Sequence, residues 1–367
     1  MTTVADVVEF LERLAPPDLA ADWDNAGLLL GERSTPVRRV LTCLTVTPES
    51  AAEAIETAAQ LVVTHHPILF KAVRRLTDAT PEGKILLALA RAGVAVYSPH
   101  TAYDNARDGI NELLARRVGL ADVVPLKCAT GASECKVVVF VPEQDLQRVA
   151  SSVFAAGAGR IGHYRECSFR LAGTGTFFGS EATNPAVGQK GRREEVPEFR
   201  FEVVCPESAV AKVVAAARSA HSYEEPAIDV YPLRPKPGSA GEGRVGVLHG
   251  ETGLAPFASA VRAALRSGPV QVVGDPGRAV RRVAIACGAG GSFLGEAARA
   301  GADVLLTGEA RFHDYLEARD RGLALVLPGH YATERLGAEE LAGRVASAFP
   351  VVQAAASERE CDPVGWA

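Results

Sequence analysis

Two stretches of this chain repeat one grammar, short apolar runs alternating with alanine-rich helical patterns, and that alternation most constrains the fold. Residues 39–44 and 61–64 are continuous apolar runs of strand length, and residues 49–59 between them have the alanine and glutamate content of a helix. A helix over 83–92 then leads into a further strand at 94–97, so this portion predicts a parallel sheet with helices on its faces. The same grammar returns after Gly243, with strand-like runs at 244–248, 270–273, 280–286, 302–306 and 323–327. The fold class is therefore α/β, two similar α/β halves forming one core from residues 1–129 plus 237–367.

Between the halves the pattern changes. A strand at 136–141 is followed by a helix over about 143–156, then by glycine-rich polar strands, a strand at 199–205, a helix at 207–220 and a closing strand at 227–233. The order β-α-β-β-α-β is that of an inserted ferredoxin-like (α+β) domain, placed at 130–236. Its edges, residues 129–133 and 235–241, have linker composition.

At 367 residues the chain can bury its cores without disulfides or a structural metal. A net charge of −5, with both signs mixed along the sequence, gives no footprint for direct nucleic-acid binding. The seven cysteines are scattered and never spaced Cys-x-x-Cys, which fits a reducing compartment and reads them as small core or incidental residues. Near the N-terminus, Val4, Val7, Val8, Leu11 and Leu14 fall at helical spacing until Pro16 and Pro17 stop the helix. That segment lacks the features of a signal peptide, and no later run reaches membrane-spanning length, so a cytoplasmic location without membrane contact is expected.

Candidate chemistry gathers at three strand ends. Thr64-His65-His66-Pro67 puts two imidazoles at the carboxyl end of a buried strand, where open α/β sheets bind ligands. Alternation along a strand would make the two rings diverge, which suits two metal ions better than one. Ser98-Pro99-His100-Thr101-Ala102-Tyr103-Asp104 ends a second strand, and Pro328-Gly329-His330-Tyr331-Ala332-Thr333-Glu334 ends a third. His-x3-Asp and His-x3-Glu share one design, and where the His opens a helix the carboxylate lies one turn along the same face. The parallel extends upstream, with Thr64-His65-His66 matching Thr307-Gly308-Glu309, a pseudo-repeat that builds one site from two halves.

Imidazoles and carboxylates without a thiolate suit two divalent ions per subunit, zinc, iron or manganese. His65, His66, Asp104, His330 and Glu334 are the expected ligands. Glu334 is the candidate bridge, because two ions roughly 3.5–4 Å apart need one. His100 reads as a neighbouring donor or helix cap and stays outside the ligand set. His313 reads either as a proton carrier facing the cleft or as a solvated helix histidine. The loop Gly288-Ala289-Gly290-Gly291-Ser292 is either an anion cradle of backbone amides or a tight strand-to-helix turn, and it lacks the lysine of a P-loop.

These segments, with Ala21-Asp22-Trp23-Asp24-Asn25-Ala26-Gly27-Leu28, resemble the motifs of the Nif-three-like family of dinuclear-metal hexameric proteins, often labelled GTP cyclohydrolase 1 type 2 homologs. The resemblance spans nearly the whole chain and places the family's ligands on the same five residues. Gly162-His163-Tyr164-Arg165-Glu166-Cys167-Ser168-Phe169, Gly173-Thr174-Gly175-Thr176-Phe177 and Ser222-Tyr223-Glu224-Glu225-Pro226-Ala227 resemble the family branch carrying a P-two- or CutA-like insert. Phe178-Gly179-Ser180-Glu181 lacks the proline that branch has soon after its Gly-Thr-Gly-Thr-Phe motif. The resemblance implies a homohexamer, a trimer of dimers with the metal sites facing an internal cavity. The activity expected is metal-dependent hydrolysis of a nucleotide or other phosphorylated small molecule, with Glu334 and His313 as the catalytic candidates. The alternative is a non-catalytic metal-binding, metal-delivery or regulatory protein.

Overall fold

The computed structural model describes residues 1–71, 73–130, 134–234 and 237–365. It divides into two compact units, one of residues 1–129 with 238–367 and one of residues 130–237. Of the expected linkers, residues 131–133 and 235–236 lie outside the described residues.

The first unit opens with α1 (Val4–Leu14), started by a reciprocal cap in which the Thr3 hydroxyl accepts from Asp6 N and Asp6 accepts from Thr3 N. Its Val4, Val7, Val8 and Leu11 are buried as their spacing requires. There follow β1 (Gly27–Leu30), β2 (Arg39–Cys43), α2 (Pro48–Glu56), β3 (Leu61–Thr64), α3 (Pro81–Arg91), β4 (Ala95–Ser98), α4 (His100–Asn105), α5 (Ile110–Arg117) and β5 (Leu120–Thr130). The second unit holds β6 (Glu134–Pro142), α6 (Glu143–Ala155), β7 (Phe169–Phe178), β8 (Arg193–Pro206), α7 (Val210–Ala220) and β9 (Ile228–Pro232). The chain then returns to the first unit with β10 (Pro237–Gly253), α8 (Leu254–Leu265), β11 (Gln271–Val273), β12 (Ala279–Ala289), α9 (Leu294–Arg299), β13 (Val304–Glu309), α10 (Phe312–Asp320), β14 (Ala324–Leu327), α11 (His330–Ala348) and β15 (Gln353–Ala356).

The first unit carries two sheets, ordered β1-β4-β3-β2-β15 and β11-β14-β13-β12-β10-β5. Each has a parallel run of consecutive strands, β2-β3-β4 and β12-β13-β14, closed at one edge by an antiparallel strand, β1 or β11. The halves are thus alike, but they are interlaced in a way the sequence pattern does not announce. β5 from the front of the chain joins the rear sheet, and β15 from the end pairs with β2 in the front sheet. α11 makes this possible by packing against β2 and β15 of one sheet and β12 and β13 of the other. Its inner face is small where space is tight: a Cβ on Gly337 would stand 2.6 Å from Ile110.

The second unit has the chain order β-α-β-β-α-β and an all-antiparallel sheet ordered β7-β8-β6-β9. Val137, Val139, Val141, Phe201 and Val203 on one sheet face pack against Leu146, Val149 and Val153 of α6 and Val213 and Ala217 of α7. The other face carries a lattice of charges, Lys136 and Arg200 each 2.7 Å from Glu202.

One buried charge fastens the interlaced first unit. Arg244 on β10 is fully buried, 2.8 Å from Glu112 of α5, and donates to the carbonyls of Gly241, Gly243 and Ala106. Arg244→Met keeps the bulk but strands a carboxylate and three carbonyls, so it should cost about 3–5 kcal/mol. The thermal midpoint of this unit should fall by on the order of 10 °C; an unchanged midpoint in scanning calorimetry would show that the network is not stabilising.

Candidate metal centre

The parallel strands of the two sheets deliver their carboxyl ends to one place. β3 ends at Thr64, and the two histidines follow directly. The Thr64 hydroxyl donates to the Leu44 carbonyl at 3.2 Å and to that of His66 at 3.1 Å, which bends the chain and ends the strand's alternation. As a result the His65 and His66 rings do not diverge as strand geometry would have them; their centroids lie 5.2 Å apart. Thr307 at the end of β13 does the equivalent work, donating to the Gly288 carbonyl at 3.1 Å and accepting from Gly290 N at 2.8 Å.

α11 begins at His330, so Glu334 lies one turn along, and their side chains meet with Nε2 and Oε2 2.9 Å apart. The same Oε2 is 2.9 Å from His66 Nε2 and 3.9 Å from His65 Nε2. A ring nitrogen of His66, one of His330 and a Glu334 oxygen lie within 4.8 Å of one another, as do nitrogens of His65, His66 and His100. Asp104 reaches the cluster from α4, its Oδ1 3.6 Å from His65 Nε2. The gathered groups therefore include His65, His66, Asp104, His330 and Glu334, with His100 beside them. In the front half the His/Asp pair is not closed on itself: Asp104 turns to His65, and His100 turns to Asp24. His313 is exposed in the first turn of α10 and belongs to neither group.

The electrostatics favour a cation here. Burial holds the His65 ring neutral, lowering it to about 3, and both of its nitrogens are buried without a hydrogen-bond partner. His330 Nε2 is likewise unpartnered although it stands 2.9 Å from Glu334, because the approach lacks hydrogen-bond geometry. Unpaired imidazole nitrogens in a buried site are costly unless something else meets their lone pairs. Burial, then the Glu334 charge, raise Asp104 to about 7. Burial would raise Glu334 also, but contacts with His330 and His66 hold it well below the usual carboxylate range. The Glu334 contact lifts His330 to about 9. Imidazole nitrogens facing carboxylate oxygens are the donor set of a divalent metal, which would take over the charge compensation that a proton on His330 otherwise supplies.

Several supporting residues have roles that the motifs alone do not state. Asp24 accepts from His100 Nδ1 at 2.6 Å, from Thr101 N at 3.1 Å and from the Thr101 hydroxyl; burial alone would raise it, yet the His100 and Thr101 hydroxyl bonds hold it at about 2. His100 itself has φ +32°, an unfavourable conformation that this clamp maintains. The Thr45 hydroxyl is 2.7 Å from His66 Nδ1, and Glu309 is 3.0 Å from His330 Nδ1, so each ring has its far nitrogen fixed. Glu360, from the C-terminal segment, accepts from Leu44 N at 2.8 Å and Thr45 N at 2.7 Å and so fixes the loop bearing Thr45. Cys287 is not incidental: its Sγ lies 3.3 Å from Asp104 Oδ1, and burial keeps the thiol protonated and able to donate. The glycine-rich segment that ends β12 turns tightly, with Gly288 N donating to the Thr333 hydroxyl and Gly290 N to that of Thr307. At Gly288, with φ +61°, a Cβ would stand 2.1 Å from Glu334 Oε1, so the site leaves room for glycine alone.

A cavity of about 520 Å³ opens beside the cluster, walled by His66, His330, Glu309, Tyr315, Tyr331 and the C-terminal residues 360–364. No lysine or arginine is among the described residues that line it. No helix among the described residues is long and apolar enough to cross a membrane.

An α/β protein whose paired sheets converge on a histidine–carboxylate cluster is the class these observations define. Residues 2–363 match the Duf34/NIF3 (NGG1p interacting factor 3) family, and the chain belongs to it. It is similar to a Halalkalibacterium halodurans protein named GTP cyclohydrolase 1 type 2 homolog, 40% identical over 88% of this chain and 87% of that one. A relative of the same name in Mycobacterium tuberculosis is 38% identical over 90% and 88% of the two chains. Among solved structures, a Bacillus cereus protein related to NIF3 is 35% identical with a TM-score of 0.72, covering 100% of this chain and 99% of its own. A Staphylococcus aureus protein, 26% identical, has the same coverage and a TM-score of 0.84.

Thr45→Val should loosen the His66 ring and weaken zinc binding about 10–100-fold in competition with a chromophoric chelator, while Thr45→Ser retains affinity. Equal affinities for all three proteins would show that the Thr45 bond does not orient a ligand.

Proposed function

We propose that His65, His66, Asp104, His330 and Glu334 hold two divalent ions per subunit, and that the chain is a metal-dependent hydrolase acting on a nucleotide or other phosphorylated small molecule. The observation that carries this reading is Glu334 Oε2 standing 2.9 Å from His66 and 2.9 Å from His330 and 3.9 Å from His65, beside buried imidazole nitrogens that have no other partner. When bound, such ions supply Lewis acidity and a lowered pKa for water. The chain's own part is positional. Glu334 would supply carboxylate oxygen to the ions, and Thr45 and Glu309 hold the His66 and His330 rings by their far nitrogens. The neighbouring cavity, about 520 Å³, is of a size that holds a small-molecule substrate. His313 is the remaining candidate proton carrier, although it is exposed and is not among the described residues that line this cavity. The zinc, iron or manganese preference follows from the nitrogen and oxygen donors. A homohexamer in the cytoplasm is part of the same reading, as the resemblance of its motifs implies.

The lack of basic residues in the described cavity wall favours a second reading, a metal-delivery or regulatory protein without turnover. Purified without added metal, the wild type should retain two ions per chain, and Glu334→Ala should lose at least one together with all hydrolysis of a nucleotide panel that includes GTP. Residual hydrolysis equal in wild type and metal-depleted Glu334→Ala would remove the hydrolase. Transfer of the ions to an apo-acceptor with no turnover would establish the second reading.

A further inference from the structure

The inserted unit has a cavity of its own, about 470 Å³, which the metal chemistry does not use. It lies at one end of the charged sheet face. Gly173 pairs with Glu198 and Phe140 with Arg200, so the Gly173, Gly175 and Phe177 side of β7, Glu198 of β8 and Phe140 of β6 look the same way. Phe140, Phe177, Phe178 and the Tyr223 ring give it aromatic walls, and Pro185 and Val187 add aliphatic ones. Two of the motifs noted in the sequence, Gly173 to Phe177 and Ser222 to Ala227, supply much of this lining.

The charged groups lining it are all of one sign. Three carboxylates, Glu198, Glu224 and Glu225, line it, and no lysine or arginine does among the described residues. Two of the three are committed elsewhere: Glu224 accepts from Asn184 N at 2.9 Å, and Glu225 pairs with Arg218 at 3.2 Å. Arg200, two residues along β8 from Glu198 on the same face, is held by Glu202 at 2.7 Å. Among the described residues neither Glu198 nor Glu224 has an ion pair, and of the three Glu198 alone has neither an ion pair nor a backbone hydrogen bond. Room for it is made by Gly175, where a Cβ would stand 2.1 Å from its carboxylate. The Tyr223 hydroxyl is buried nearby without meeting hydrogen-bond geometry to any group. Burial and then the Glu198 carboxylate keep that phenol protonated, so it remains a donor.

A carboxylate with no cationic partner among the described residues, on a floor of glycine and walled by aromatic faces, attracts a positive charge on an apolar frame. The same lining repels phosphate, having no cation to meet it. We propose that this cavity is a binding site for a small organic cation with a flat or apolar body, an amine or amidinium, whose nitrogen pairs with Glu198 while its body lies between Phe140, Phe177 and Tyr223. The site is independent of the metal reading and gives the insert a ligand-sensing role.

Titration calorimetry of the full chain with benzamidine, a flat amidinium, and with benzoate, its anionic counterpart, tests this. Benzamidine should bind one per chain, benzoate should not, and Glu198→Gln should weaken benzamidine at least tenfold with the metal content unchanged. Gly175→Ala, which crowds the carboxylate without removing it, should also weaken binding and serves as the second variant should Glu198→Gln fail to fold. No benzamidine binding at millimolar concentration, equal binding of benzoate, or benzamidine affinity unaltered in a folded variant would overturn the proposal.

Discussion

A buried carboxylate has to be compensated, and Glu334 sets that demand at the point where both sheets end. It sits one turn into a helix wedged between those sheets, nearly inaccessible, with imidazoles from opposite halves of the chain against one oxygen. Because a lone buried anion would be strongly unfavourable, β3, β13 and β14 have to end where they do. The tight turn at Gly288, with no space for a side chain above Glu334, belongs to the same constraint.

The pseudo-repeat explains how one chain meets this demand. Each half supplies a parallel three-strand run, a threonine whose hydroxyl shapes the loop beyond its strand, and a helix opened by histidine. The halves then diverge. In the rear half His330 and Glu334 face each other, while in the front half Asp24 draws His100 away and leaves Asp104 to His65 and Cys287. A duplicated scaffold thereby presents unequal donor sets on its two sides, which is suited to two ions in different environments.

Much of this was legible in the sequence, for physical reasons. β3 and β14 are continuous apolar runs because both sheet faces are covered, so their ends, and the histidines placed there, could be read directly. The four-residue spacing of His330 and Glu334 carried its own geometry. What was hidden depends on long-range contact. β15 is Gln353–Ala356, a segment without strand character until β2 pairs with it, and β5 crosses to the rear sheet for the same kind of reason. The ring directions of His65 and His66 were misjudged because Thr64 ends the strand one residue earlier than alternation assumes. Asp24 and Glu360 act on residues far away in sequence, through loops with no periodicity to betray them.

The central claim is that distant imidazoles and carboxylates share metal ions. Anomalous diffraction from crystals of protein purified without chelator, collected across the zinc, iron and manganese edges, addresses it most directly. Two peaks bridged by the Glu334 carboxylate, with His65, His66, Asp104 and His330 around them, are predicted. A map without anomalous density among these side chains, or with its peaks elsewhere, would contradict the account.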